Sequence, residues 1–174
     1  MSENAVHIVS GRLFVEDLPA FLRLLNIFSE KNDVKIQGFD ARKIIDADHL
    51  FFSIHRARES FSNGTNEAKD IGLEVLRFSS GQRKIDKAFS MGLIQGENRS
   101  VFVFFGESEE QLQKAENAFK AEFELSEISE LSVNEKKSFL MKQFEITNEE
   151  LEIVGESRLK DLVMECVALV DVTR

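Results

Sequence analysis

The chain carries 31 acidic and 22 basic side chains, a formal net charge of −9, yet it places Arg83, Lys84 and Lys87 within one short stretch. They follow Ser79-Ser80-Gly81-Gln82, a turn between two runs with helical spacing. A helix that ends at a left-handed glycine and restarts at once exposes the N–H groups of Gln82, Arg83 and Lys84. The positive end of the new helix adds to the basic side chains. The chemistry such a corner offers is capture of an anion the size of a phosphate. The same residues also describe an ordinary helix–glycine–helix corner with solvated cations, and the corner alone does not choose between the two.

Catalytic chemistry has fewer candidates. Nucleophilic catalysis needs a base beside Ser or Cys, and metal chemistry needs spaced ligands such as H-E-x-x-H. His7 falls in a strand-like run, and His49 and His55 lie on different faces of an ideal helix, so capping or packing roles are expected of all three. Cys166, the only cysteine, sits in an apolar stretch and reads as inert packing; no intrachain disulfide or zinc cluster is expected, which fits a reducing compartment. No G-x-x-x-x-G-K-[ST] cradle occurs, and among so many acids paired carboxylates carry no information. The expectation is no catalytic residue, no metal and no cofactor.

The elements that would hold the corner follow from periodicity. Ala5–Val9 reads as a strand ended by Ser10-Gly11, and Asp17 with Pro19 opens a helix to about Ser29 that carries Phe21, Leu22, Leu25 and Phe28 on one stripe. Residues 34–39 alternate as a second strand. Asp46 or Asp48 caps a helix with Leu50, Phe51, Ile54 and Phe61 inward, and Asn63-Gly64 stops it. A third helix is expected over Asn66–Ser79 and a fourth over Gln82–Met91. Val101-Phe102-Val103-Phe104-Phe105 has the continuous apolar character of a central strand buried on both faces, and Ser108 starts an amphipathic helix with Leu112, Ala115 and Phe119. The acid- and Ser-rich segment 122–157 reads as the most mobile part, with one short helix near Lys136–Phe144.

The last helix, Arg158–Val170, differs in kind. Leu159, Leu162, Val163, Cys166, Val167 and Val170 form one stripe, while Met164, Ala168 and Leu169 lie off it. Either the helix is wedged within the core or it also meets a partner through Met164, Ala168 and Leu169. Sixteen Phe with no Trp or Tyr point to a core built from rings without polar handles. The N-terminal stretch lacks the pattern of a secretory leader and no long apolar run occurs, so a cytoplasmic protein without a membrane segment is expected. The sequons at Asn63 and Asn98 read as turns. Interleaved strands and helices argue for a single α+β domain over 1–174, a small sheet of about four strands covered by helices.

Charge is unevenly spread. Residues 1–40 hold 4 basic and 6 acidic groups, residues 41–100 hold 10 and 8, and residues 101–174 hold 8 and 17. An anionic partner would therefore meet the middle of the chain.

D-A-x-x-I at Asp40–Ile44, D-x-x-H-L at Asp46–Leu50, LEVLRFSSGQRKIDKAF at Leu73–Phe89 and M-G-L at Met91–Leu93 resemble the smallest core subunit of the KEOPS complex, the TPRKB-like family that binds the PRPK-type kinase subunit. The resemblance is strongest over residues 38–106 and most specific at S-G-Q-R. It implies a non-catalytic accessory subunit. KEOPS makes threonylcarbamoyladenosine at position 37 of transfer RNAs through chemistry in another subunit. The resembling subunit docks on the kinase N-lobe and, in archaeal members, helps hold the transfer RNA by its 3′ CCA end. The residues expected to contact transfer RNA are Ser80, Gly81, Gln82, Arg83, Lys84 and Lys87; those expected to contact the kinase are Met164, Ala168 and Leu169. No small-molecule substrate and no membrane partner are expected. Two other classes stay open on the residues alone: a small enzyme or binding protein for a phosphorylated metabolite at Gly81, and a scaffold that contacts only protein.

Overall fold

The computed structural model describes residues 5–172; Met1–Asn4, part of the stretch read for a leader, lie outside them. The fold is α+β. Among the described residues there are three strands in one antiparallel sheet, with eight α-helices. The expected count of about four strands is thus corrected to three, because the apolar length is spent on two long strands rather than on more of them. The chain divides into two compact units. The first holds the described residues up to Ala41 together with Leu93–Glu130, and the second holds Arg42–Gly92 and the described residues from Leu131 onward.

In the first unit the order is β1 (Ala5–Val15), β3 (Gly96–Gly106), β2 (Lys35–Asp40), with β3 central. Register pairs Ala5 with Gly106, Val9 with Phe102 and Val15 with Gly96 on one side of β3, and Lys35 with Phe105 on the other. β1 runs straight through Ser10-Gly11, where the sequence reading ended it. Gly11 is there for space and not for a turn: a Cβ would lie 2.4 Å from Leu125 Cγ. The strand continues because the Ser100 hydroxyl donates to the Gly11 carbonyl at 2.8 Å, and Arg12 exchanges backbone hydrogen bonds with Ser126 at 2.8 and 3.0 Å. Asn98, read as a turn residue, is buried in β3 and shapes the preceding loop by accepting from Ile94 N–H and donating to Ile94 and Gly96 carbonyls.

One face of the sheet is covered by α1 (Leu18–Asn32) and α5 (Glu109–Glu122). Asp17 caps α1 by accepting from Ala20 N–H with Pro19 in the first turn, and Ser108 caps α5 by accepting from Gln111 N–H. Leu25 and Phe28 from α1, Leu112, Ala115 and Phe119 from α5, and Phe102 and Phe104 from β3 form one buried cluster. Phe119 is its hub, with ring centroids 4.7 to 5.7 Å from those of Phe28, Phe102, Phe104 and Phe123. Leu22 of the expected stripe is 44% exposed. Phe39, Val103 and Phe105 point to the opposite face and are buried too, so β3 is covered on both sides as its apolar run requires.

The second unit is helical. α2 (Ala47–Asn63) begins at Asp46, which accepts from His49 N–H, and ends at Gly64 in the left-handed region, φ 66°. Leu50 and Ile54 turn inward as expected, but Phe51 is 54% exposed, because the inward stripe is completed by His49, Ser53 and Ala57. α3 (Ile71–Ser79) is capped by Asp70 and starts five residues later than read; Asn66 instead donates to the Ala68 carbonyl in the preceding loop. The fourth helix shrinks to α4 (Ile85–Ala88) plus a 3₁₀ turn, Phe89–Met91.

Segment 122–157, expected to be mobile, is largely helical: α6 (Val133–Gln143) and α7 (Asn148–Val154). Each starts with a reciprocal capping box, Ser132 with Glu135 and Thr147 with Glu150, and each buries apolar anchors such as Leu140 and Leu151. α8 (Leu159–Ala168) buries Leu159, Val163 and Val167.

Replacing Phe119 with Ala removes the hub of the first unit's core and should lower unfolding free energy by about 3–5 kcal/mol in urea titration. A loss below ~1 kcal/mol would contradict the packing described.

Candidate functional site

The corner is built by the end of α3. Ser80 N–H donates to Leu76 O and Gly81 N–H to Phe78 O, both at 3.0 Å, with Gly81 left-handed at φ 67°. A side chain at Gly81 would also approach Phe144 at 3.0 Å and the Cys166 Cβ at 3.3 Å, so glycine answers both backbone and space. The Ser80 hydroxyl donates to the Arg77 carbonyl at 2.7 Å and accepts from Gln82 N–H at 3.1 Å. This corrects the helix-terminus argument: Gln82, Arg83 and Lys84 precede a four-residue helix, and the Gln82 N–H is already bonded.

Beneath the corner lies a buried ionic network. Arg77, fully buried, donates from Nη2 and Nε to the Glu74 carboxylate at 2.6 and 3.1 Å, and from Nη1 to Asp171 at 3.0 Å and to the Arg83 carbonyl at 3.4 Å. Glu74 also accepts from the Ser60 hydroxyl at 2.9 Å and Ala68 N–H at 3.0 Å. Burial pushes the Glu74 carboxyl up, but Arg77 and these donors outweigh it and hold it below the ordinary carboxylate value. One guanidinium thus ties the corner backbone to the segment that follows α8.

His49 is the second support. Its Nδ1 accepts from Ile45 N–H at 3.2 Å and its Nε2 donates to the Ser79 carbonyl at 2.9 Å, with the ring 5.7 Å from that of Phe144. Burial pushes its pKa down to about 4 against the pull of Ser79 and Asp46. The D-x-x-H-L motif therefore acts on S-G-Q-R through space. Asp46 caps α2 and pairs with Lys160 at 2.6 Å, which also holds Asp48 at 2.6 Å.

The structure sorts the expected site residues. Arg83, Lys84 and Lys87 are exposed, Gly81 and Gln82 are half-buried, and Ser80 is fully buried with its hydroxyl used internally. On α8 and just after it, Met164 and Ala168 are half-buried and Leu169 is 39% exposed. A hollow of about 270 Å³ brings Ser80, Gly81, Gln82 and Arg83 to one wall and Leu169 and Val170 to another, with Phe144, Glu145 and Cys166 completing it. Two sets of residues from separate motifs thus border one cavity; Lys84, Lys87, Met164 and Ala168 do not line it. Sequence reasoning missed Phe144 and Glu145 in the mobile-looking segment, and the Glu74–Arg77 pair. An E-x-x-R inside the otherwise apolar run IGLEVLRF, Ile71 to Phe78, is the signal that could have found it.

Two side chains with catalytic potential are engaged elsewhere. His7 donates or accepts at both ring nitrogens, to Glu109 at 2.6 Å and Glu116 at 3.0 Å. Cys166 has its thiol pushed up by burial and then by Glu165, away from the thiolate a nucleophile needs. Among the described residues no group of three His, Cys, Asp or Glu side chains is placed to hold a metal ion, and no helix is long and apolar enough to cross a membrane.

An α+β protein with a three-stranded sheet, a helical unit and a glycine corner held over a buried ion network is the class that fold and site define. The chain matches the family described as kinase binding protein CGI-121 over residues 17–171, and it belongs to that family. No individual curated protein matches it.

Acid should destabilise the site through His49. Its folded pKa of about 4 lies below the unfolded value of 6.5, so the unfolded state binds more protons between those values. Stability is full above pH 6.5 and falls by roughly 3 kcal/mol on the way to pH 4. Glu74 adds to the loss below the ordinary glutamate range, as its pKa is depressed. His49→Gln should flatten the slope of unfolding free energy between pH 4 and 6.5; an unchanged slope would show that His49 titrates in water.

Proposed function

We propose that the protein is a non-catalytic accessory subunit of a KEOPS-type assembly, acting as one domain over 1–174, which binds the KEOPS kinase subunit and helps recruit transfer RNA by its 3′ CCA end for threonylcarbamoyladenosine modification. The observation that carries this reading is the shared hollow at S-G-Q-R and Leu169, in a chain of a kinase-binding family. The S-G-Q-R motif that resembles the KEOPS subunit and Leu169, one of the three residues read as kinase-binding, border it together.

The physical demands of the two partners are met by different edges. Arg83, Lys84 and Lys87 expose cations beside a rigid backbone, as contact with single-stranded RNA phosphates requires. Phe144 on the hollow wall supplies an aromatic edge. Leu169 and the half-exposed Met164 and Ala168 supply apolar area, worth ~25 cal/mol per Å² when a partner covers it, less the cost of association. Ser80 acts from within, by holding the turn, and Gly81 and Gln82 present backbone and amide at the rim.

Arg83→Glu with Lys84→Glu should weaken transfer-RNA binding by at least tenfold and flatten the slope of log K against log salt by roughly 1.4, with the melting temperature unchanged. Removing CCA from the RNA should produce a similar loss. Equal affinity of wild type and variant in gel shift would leave a protein-only scaffold.

Leu169→Glu, with Met164→Glu as a second probe, should abolish pull-down of the kinase subunit at little cost to melting temperature. Unfolding of the isolated variant would place these residues in its own core and move the docking surface elsewhere.

A further inference from the structure

The first unit carries a patch that neither the corner nor α8 accounts for. In the β1–β3 register Arg12 stands directly opposite Arg99, and both side chains are exposed. Like charges directly opposite in an antiparallel pair are destabilising. Neither guanidinium has an ion-pair partner among the described residues. Two residues along the same face of β1 is Phe14, 68% exposed, and opposite it stands Glu97. A hollow of about 220 Å³ opens there, with Arg12, Phe14, Glu97, Glu124 and Ser126 on its walls.

We propose that this patch binds one nucleotide unit of a single-stranded nucleic acid, with the phosphate between Arg12 and Arg99 and the base on the ring of Phe14. A phosphate placed between the two guanidiniums relieves their repulsion and accepts from both in the fork geometry that arginine favours. Arg12 and Phe14 are separated by about 6.8 Å along the strand, a spacing that lets one nucleotide reach both. An exposed phenyl ring is a platform on which any base stacks.

The acids around the patch select the ligand further. Glu97 and Glu124 stand on the Phe14 side of the patch, where a base offers exocyclic amino groups to a carboxylate acceptor. A duplex keeps its bases stacked inside and cannot lay one on Phe14, so the strand must be single. The platform is rigid before binding. Arg12 is pinned on its open edge by the paired backbone hydrogen bonds with Ser126, and on the other edge its strand pairs along its whole length with β3.

The test uses the full chain, isotope-labelled for NMR, with a single-stranded RNA of about eight nucleotides, adenosine monophosphate, and a polyglutamate peptide as probes. RNA should shift the amides of Arg12, Phe14, Glu97 and Arg99, and these shifts should persist in the Arg83→Glu/Lys84→Glu variant, which separates this site from the corner. Phe14→Ala should lower RNA affinity at this site about tenfold without changing its salt slope. Arg12→Gln/Arg99→Gln should lower affinity and flatten the slope by roughly 0.7, the share of the one phosphate they hold. Should that variant melt early, Phe14→Ala decides alone, since its ring is exposed. Absence of shifts at these four residues, or unchanged affinity of Phe14→Ala, overturns the proposal. Polyglutamate binding as tightly as RNA would make the patch a peptide site, and the monophosphate binding as tightly would make it a free-nucleotide site; either result also overturns it.

Discussion

Arg77 is a fully buried cation, and the arrangement of the second unit depends on how it is neutralised. A lone buried guanidinium would be untenable, and a buried pair alone gives little net stability. What this network supplies is position. Because Glu74 takes two of the donors and Asp171 and the Arg83 carbonyl take Nη1, the corner and the segment after α8 are fixed to the same group. Removing Glu74 or Arg77 alone would leave the other charged and buried, which is why the pair acts as a unit.

The remaining supports act on the same point from other directions. His49 grips the Ser79 carbonyl, Gln143 donates to the Ser80 carbonyl at 3.4 Å, and Lys136, buried, donates to the Ile45 carbonyl at 3.0 Å beneath His49. The exposed cations Arg83, Lys84 and Lys87 thus sit on a corner whose Ser79, Ser80 and Arg83 carbonyls are held from below. Such a surface is suited to holding a partner. His7, His49 and Cys166 are each engaged in packing or in hydrogen bonds.

Much of this was legible in the residues. The run Val101–Phe105 announced a central strand, Asp17 with Pro19 and Ser108 announced helix starts, and Gly64 and Gly81 announced left-handed stops, because each depends on local chemistry that survives tertiary context. The site residues were partly legible for the same reason: Gly81 and the cations follow from turn and charge. What escaped depended on distant partners. Gly11 looked like a strand end because Leu125, which fills the space beside it, lies far along the chain. The acid-rich segment looked mobile because its charge masked two capping boxes and the anchors Leu140 and Leu151. No local pattern could say that Leu169 and Gly81 border one hollow.

A single buried guanidinium holds the corner and the segment after α8 together. Amide hydrogen exchange in the paired Glu74→Gln/Arg77→Met variant tests it directly, since replacing both charges avoids leaving either one buried alone. The amides of residues 80–84 and of residues 169–172 should exchange faster together while those of β3 keep their protection. Faster exchange confined to α3, with either segment unchanged, would contradict it.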